Sequence, residues 1–107
     1  EFEKEYGRLP TMYAAQGYDA AQLIDAAVRD TKGKLDDKAA VRKALMAAKF
    51  SSVRGEFKFN KNQFPIQNYY LRVVSKDAKG RVTNRLLGTP VLKNHGDAYA
   101  ANCKMPG

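Results

Sequence analysis

The residues best suited to bind a small molecule lie at the start of a predicted helix. Thr11, Tyr13 and Gln16 fall within its first two turns. The first turn of a helix leaves backbone amides without partners, and these amides can donate to an anion. Helix capping and core packing also account for these residue types, and from the residues alone they are the favoured explanation. Both interpretations stay open at this point.

Catalytic and metal-binding patterns are missing from the sequence. His95 is the only histidine and Cys103 the only cysteine, so no metal-ligand set and no oriented nucleophile–base pair can be assembled. Asp36 and Asp37 suit a helix cap rather than acid–base chemistry, and no glycine-rich phosphate loop is present. We therefore predict a protein that is not an enzyme and that holds no metal or cofactor. Cys103 is either a free thiol or the partner of a cysteine elsewhere in a longer chain.

The basic charge raises a second functional possibility. The chain of 107 residues carries a net charge of +8, which suits an anionic partner. A nucleic-acid-binding domain would use the predicted sheet of residues 56–87, where bases could stack on aromatic residues with basic neighbours. These residues are Phe57, Lys58, Phe59, Lys61, Tyr69, Tyr70 and Arg72. The basic residues are spaced singly, however, and alternation of Phe57 and Phe59 favours a buried strand face, so we expect no nucleic-acid partner.

Residues 11–30 predict a long helix that is apolar around most of its circumference. Thr11 suits its cap position. Polar side chains recur every three or four positions in one narrow stripe, formed by Gln16, Asp19, Gln22, Asp25 and Arg29. A surface helix normally shows the reverse, an apolar stripe on a polar cylinder. The helix therefore needs cover on most sides, which predicts exposed apolar surface and self-association when the chain stands alone.

The remaining periodicities predict an α/β arrangement of two helices followed by a three-stranded antiparallel segment. Charged residues 1–9 form the end of a helix cut by Gly7 and Pro10, and residues 35–49 form an amphipathic helix. Alternation predicts strands over 53–59, 67–75 and 81–87, with a hairpin turn at 77–80 and a short helix over 94–101. Three strands cannot cover the apolar helix. With no initiator methionine before Glu1, we expect a processed or truncated piece of a larger protein.

Several segments carry a likeness to a known family. They are residues 10–24 (PTMYAAQGYDAAQLI), 41–45 (VRKAL), 50–59 (FSSVRGEFKF), 70–74 (YLRVV) and the pair Lys79-Gly80. In this order and spacing they resemble the late part of type I periplasmic solute-binding proteins for branched-chain amino acids. The likeness extends over about residues 1–105, although no single motif is decisive.

The resemblance implies a fold and a function. Members have two α/β lobes joined by three crossovers, close on a solute in the periplasm and deliver it to the permease of an ABC importer. This chain would be a carboxy-terminal fragment of such a type I fold. Residues 1–68 would end one lobe, and residues 69–107 would supply the last crossover and a terminal segment. Its partners would be the solute, the permease and the remainder of the parent chain.

The resemblance also implies site residues and a solute class. Tyr13 matches an aromatic residue that faces the cleft, Gln16 lies one turn on, and Tyr18 is a weaker candidate. Many members have an Asp-x-x-Gly turn where residues 60–67 (NKNQFPIQ) stand here. That variant is similar to a subgroup associated with aromatic acids. The expected solute is a small carboxylate, either an aromatic acid or a branched-chain amino acid.

Overall fold

Capping residues set the bounds of the helices. A computed structural model describes residues 1–105 and begins with helix α1 (Phe2–Tyr6), which ends at Gly7 with a left-handed φ of 64°. Helix α2 (Met12–Asp30) follows, and the Thr11 side chain accepts a hydrogen bond from the Ala14 amide. Helix α3 (Lys38–Ala47) starts in the same way, with the Asp37 side chain accepting from the Ala40 amide. The three helices predicted in residues 1–49 and the caps of α2 and α3 are confirmed.

Five short strands form two antiparallel sheets. Strands β1 (Phe57–Phe59), β2 (Pro65–Tyr69) and β5 (Leu92–His95) pair in the order β1-β2-β5. Strands β3 (Arg72–Lys76) and β4 (Val82–Leu86) form a separate hairpin. Its turn lies at the predicted place, closed by a hydrogen bond from the Gly80 amide to the Asp77 carbonyl. The α/β class is as predicted, but residues 1–105 contain five strands rather than three.

The expected strand over 67–75 is divided because its partner segment has extra residues. The segment that lies opposite Tyr70 contains three extra residues, Gly88, Thr89 and Pro90. They lie between two cross-strand hydrogen bonds of 2.9 Å, one from the Leu87 amide to the Leu71 carbonyl and one from the Val91 amide to the Tyr69 carbonyl. Such an unequal insertion bends a ribbon and interrupts its ladder. One continuous ribbon thus becomes two pairs, β2 with β5 and β3 with β4. Strand β2 begins at Pro65, two residues before the expected start at 67, and proline tolerates the first position of a strand.

Two further predictions are wrong at the ends of the expected elements. Strand β1 begins at Phe57 and not at residue 53, because Gly55 has a left-handed φ of 100°. In addition, the Val53 and Arg54 amides donate to the side chains of Asp19 and Ser52 and not to a neighbouring strand. Residues 94–101 are not a helix. Their first two residues, Asn94 and His95, belong to β5, where His95 lies opposite Gln67. Only Ala100–Asn102 form a short 3-10 helix. Cross-strand pairing therefore outweighs the local helical tendency of this segment.

The described residues enclose little hydrophobic core. The only apolar residues among them that are buried are the alanines Ala27, Ala44 and Ala100, and no large side chain is fully buried. The radius of gyration is 17.0 Å, against about 13 Å for a compact domain of 100 residues. On α2, Tyr13 is 75% and Ile24 57% exposed, which confirms the predicted apolar surface. None of the helices in residues 1–105 has the length and apolarity to span a membrane.

Ion pairs connect the first helix to the tip of the hairpin. Glu3 of α1 lies 2.8 Å from Arg81 and 3.4 Å from Lys79, measured between side-chain oxygen and nitrogen. Arg81 also pairs with Asp77 at 2.7 Å. The hydrogen bond from Arg81 is the main reason that the pKa of Glu3 lies below its ordinary value. These contacts orient a hairpin that is otherwise joined to the molecule by the bent ribbon.

Candidate functional site

Two of the three sequence-predicted site residues share one exposed side of α2. Tyr13 and Gln16 lie three positions apart, a spacing that places side chains on the same helix face. Both side chains are exposed. Thr11 caps the helix with its own hydroxyl, so Tyr13 has no part in capping. The first turn of α2 contains no acidic residue. This face therefore offers an aromatic ring and an amide, without a negative charge that would repel a carboxylate.

Tyr18 lies on a different side of the helix. It is five positions beyond Tyr13, which corresponds to about 140° around the helix axis. Together with Ala14 it lines an open groove of about 550 Å³ between α1 and α2, where Phe2 and Tyr6 form the opposite wall. The ring centroids of Phe2 and Tyr6 are 4.7 Å apart. The structure thus brings Tyr13 and Gln16 together and does not place Tyr18 with them.

A buried polar cluster that the sequence did not reveal lies further along α2. Asp19 is only 3% exposed. Its Oδ2 accepts hydrogen bonds from Ser52 Oγ at 2.6 Å and Arg54 Nε at 2.8 Å, and its Oδ1 accepts from the Val53 amide at 2.9 Å. The Arg54 amide in turn donates to Ser52 Oγ at 3.0 Å. We call this the Asp19 joint, formed by Asp19, Ser52, Val53 and Arg54.

The electrostatics of the joint keep Asp19 ionised. Burial raises the pKa of the Asp19 carboxyl, because it disfavours the charged form. The hydrogen bonds that the carboxylate accepts and the charge of Arg54 together outweigh burial, so the pKa lies below the ordinary value of 3.8. Sequence reasoning had placed Asp19 in the polar stripe of α2. Its partners lie 33 to 35 positions away, so no local pattern could have identified them.

Removing the carboxylate should destabilise the fold substantially. Replacing Asp19 with alanine is expected to lower the free energy of unfolding by about 3 kcal/mol, since it leaves Arg54 and two other donors without their acceptor. Urea denaturation of the complete protein, of which this chain is expected to be a part, measures this change. Asp25 on the same helix is exposed and pairs with Arg29 on α2 itself, so Asp25→Ala is the matched control and should have little effect. Equal losses for the two variants would contradict the importance of the joint.

The same joint predicts a pH dependence of stability. Since the folded-state pKa of Asp19 is depressed, its contribution is fully present above the ordinary value of 3.8 and is lost as pH falls through the lower folded-state pKa. The difference in unfolding free energy between wild type and Asp19→Asn should therefore be constant above about pH 5. It should shrink in more acidic solution. A difference that grows on acidification would contradict this assignment.

The aromatic residues of the sheet are engaged with one another. Phe57 packs against Phe50 and Phe59, with ring centroids 5.3 and 5.1 Å apart, and Arg54 lies 5.8 Å from the Phe57 centroid. This confirms packing as the role of Phe57 and Phe59. Tyr69 contacts His95 edge to face, with ring centroids 5.7 Å apart. Rings held in this way do not form an open stacking platform, which weighs against the nucleic-acid alternative.

Within residues 1–105 no group of three or more His, Cys, Asp or Glu side chains could hold a metal ion. His95 is exposed in β5, as expected of a surface residue. Cys103 is an exposed free thiol, and its pairing with a cysteine of a longer chain stays a prediction.

Comparison with known proteins provides an independent view of these features. The profile of the family described as periplasmic binding protein matches residues 1–80. A solute-binding protein of an ABC transporter from R. palustris, solved in complex with benzoate, is 36% identical over 97% of this chain, with a TM-score of 0.74. An ABC transporter substrate-binding protein from Sphaerobacter thermophilus is 25% identical over 87%, also with a TM-score of 0.74.

Both matched proteins are much longer than this chain. This chain spans 27% of the R. palustris protein and 26% of the Sphaerobacter thermophilus protein. Among curated proteins there is no significant match. Both matched structures are binding components of transporters, which is consistent with a protein that is not an enzyme.

Proposed function

This chain belongs to the periplasmic binding protein family, and on that premise we propose that it is the carboxy-terminal part of a two-lobed receptor that binds a small aromatic carboxylate for an ABC importer. The observation that carries the proposal is the 36% identity, over 97% of the chain, to a solute-binding protein that holds benzoate. The complete receptor would act outside the cytoplasmic membrane, in the periplasm. It would hand its solute to a membrane permease without chemical change.

We also propose the division of the chain between two lobes that the family resemblance implies. We assign residues 1–68 to the end of one lobe and residues 69–107 to the last crossover and the terminal segment on the other. In support, the β3–β4 hairpin is a separate sheet, and the bend opposite Tyr70 lies at the proposed boundary. A bend with an interrupted ladder is a place where a hinge motion can be absorbed. The remainder of the parent chain would cover the apolar residues of α2.

The proposed solute contacts are the exposed side chains at the start of α2. The Tyr13 ring would pack against the aromatic ring of the solute, since aromatic pairs gain from offset or edge contacts. The Gln16 amide can donate to a carboxylate oxygen. Tyr18 would contribute only if the groove toward α1 is continuous with the cleft. An aromatic carboxylate fits the pair of Tyr13 and Gln16, and a branched-chain amino acid is the competing solute.

Calorimetric titration of the complete protein with benzoate and with leucine tests this function. We expect micromolar or tighter binding of benzoate and at least tenfold weaker binding of leucine. The preference follows from the ring of Tyr13, which has an aromatic partner only in benzoate. Tighter binding of leucine would assign the site to branched-chain amino acids. A protein that binds neither solute, nor any other aromatic or aliphatic carboxylate in a panel, would contradict the proposal.

A further inference from the structure

We infer that Asp19 is a positioning residue of the solute site: it holds the turn of α2 that carries Tyr13 and Gln16 in register with the segment that leads into strand β1. The inference rests on the proposed role of Tyr13 in solute binding. Asp19 itself would not touch the solute, because it is 3% exposed and its carboxylate already accepts three hydrogen bonds.

Distance along the helix makes Asp19 an effective anchor for Tyr13. The two residues are six positions apart, which corresponds to about 9 Å along the axis. Gln16 lies between them, three positions before Asp19. Because the backbone hydrogen bonds of α2 are continuous, a displacement of the turn that contains Asp19 moves the neighbouring turns by nearly the same amount. A displacement of Asp19 against its partners would therefore move both proposed solute contacts together.

The other side of the joint is anchored as well. All three donors come from the short segment of Ser52, Val53 and Arg54, and the bond from the Arg54 amide to Ser52 Oγ fixes that segment internally. Arg54 also lies over the ring of Phe57, the first residue of β1. Through this chain of contacts the carboxylate connects the start of α2 to the sheet. Saturated hydrogen bonding in a buried network favours one geometry over others.

The exposed ion pairs of α2 are poor candidates for the same role. Asp25 and Arg29 belong to the same helix and cannot position it. Asp30 reaches Lys49, just beyond α3, at 2.8 Å, but this pair lies at the far end of α2 and its side chains are 41% and 64% exposed. Exposed pairs contribute little and are screened by salt. Asp19 is thus the charged residue of α2 that is both shielded from solvent and paired with a distant part of the chain.

A double-mutant cycle in the complete protein tests the inference with benzoate as the probe. We expect Asp19→Asn to weaken benzoate binding roughly tenfold, since small displacements of a contacting group carry large penalties. In the Tyr13→Ala background the same substitution should weaken binding by clearly less than tenfold, because Gln16 is then the remaining proposed contact that a shift of α2 can misplace. Asp30→Asn is the matched control, and it should leave affinity unchanged. Circular dichroism and urea denaturation establish that each variant is folded.

Each outcome bears on a different step of the argument. If Asp19→Asn lowers the denaturation midpoint but leaves benzoate affinity unchanged, or if its effect adds fully to that of Tyr13→Ala, Asp19 is structural only and the inference is wrong. If Tyr13→Ala itself leaves affinity unchanged, the proposed site is wrong, and the inference is overturned with it. Should Asp19→Asn fail to fold, Ser52→Ala serves in its place, since it removes one donor to Asp19 together with the acceptor of the Arg54 amide. Its smaller loss of affinity must likewise shrink in the Tyr13→Ala background.

Discussion

Replacing Tyr13 with alanine in the complete receptor is expected to weaken benzoate binding by roughly 30- to 100-fold. Tyr13 is 75% exposed in the segment described, at the capped start of α2. In the closed receptor this ring would be desolvated between the lobes and against the solute. Loss of an aromatic anchor from a desolvated position is costly, because its apolar area returns to a water-filled gap. Isothermal titration calorimetry measures the change directly.

Two further substitutions separate ring packing from other effects of Tyr13. Tyr13→Phe keeps the ring and should retain affinity within about fivefold, because a single neutral hydrogen bond contributes little net free energy. Tyr99 has the same 75% exposure but precedes the 3-10 helix near the chain end, so Tyr99→Ala is the matched control. Wild-type affinity in Tyr13→Ala, or an equal loss in Tyr99→Ala, would contradict the assignment of Tyr13 to the cleft.

The isolated 107-residue chain is expected to bind no benzoate at micromolar concentrations and to self-associate. The solute contacts proposed for it occupy one face of one helix, whereas a ligand site normally surrounds most of the ligand surface. Its buried apolar residues, within the part described, are three alanines, while Met12, Ile24 and Val74 are 63%, 57% and 70% exposed. Exposed apolar surface of this extent favours association with a second copy.

Light scattering coupled to size-exclusion chromatography measures the association state, and thermal unfolding measures cooperativity. We expect species larger than 11.9 kDa and a broad unfolding transition. The complete protein, treated identically, is the control and should be cooperative and bind benzoate. A monomeric fragment with a sharp transition, or a fragment that binds benzoate with micromolar affinity, would contradict this prediction.

Local features of the fold were predictable because short-range interactions determine them. Thr11 and Asp37 are capping residues by type, and each one accepts a hydrogen bond from the amide three positions on. Asp77 and Gly80 form the predicted turn for the same reason, since the turn is closed within four residues. The family likeness was predictable too, because an ordered series of short motifs is a property of the sequence itself.

Strand bounds were not predictable from alternation. Alternation continues through residues 53–56, but Val53 and Arg54 direct their amides to Asp19 and Ser52 and not to a neighbouring strand. It also continues past Tyr70, where the inserted Gly88, Thr89 and Pro90 on the opposite segment interrupt the ladder. In both places a partner distant in sequence decides where pairing begins or ends.

The sequence by itself determined helices α1 to α3, the caps of α2 and α3, the hairpin turn and the family likeness. Through that likeness it also named Tyr13 and Gln16 as candidate contacts. The tertiary structure alone decided that Tyr18 faces α1, away from those contacts, and that Asp19 is buried. Helical periodicity places Asp19 on a face but cannot say what covers that face. The residues that cover Asp19 lie 33 to 35 positions away in the chain. Their hydrogen bonds offset the cost of burying the carboxylate, and only the folded chain brings these donors together.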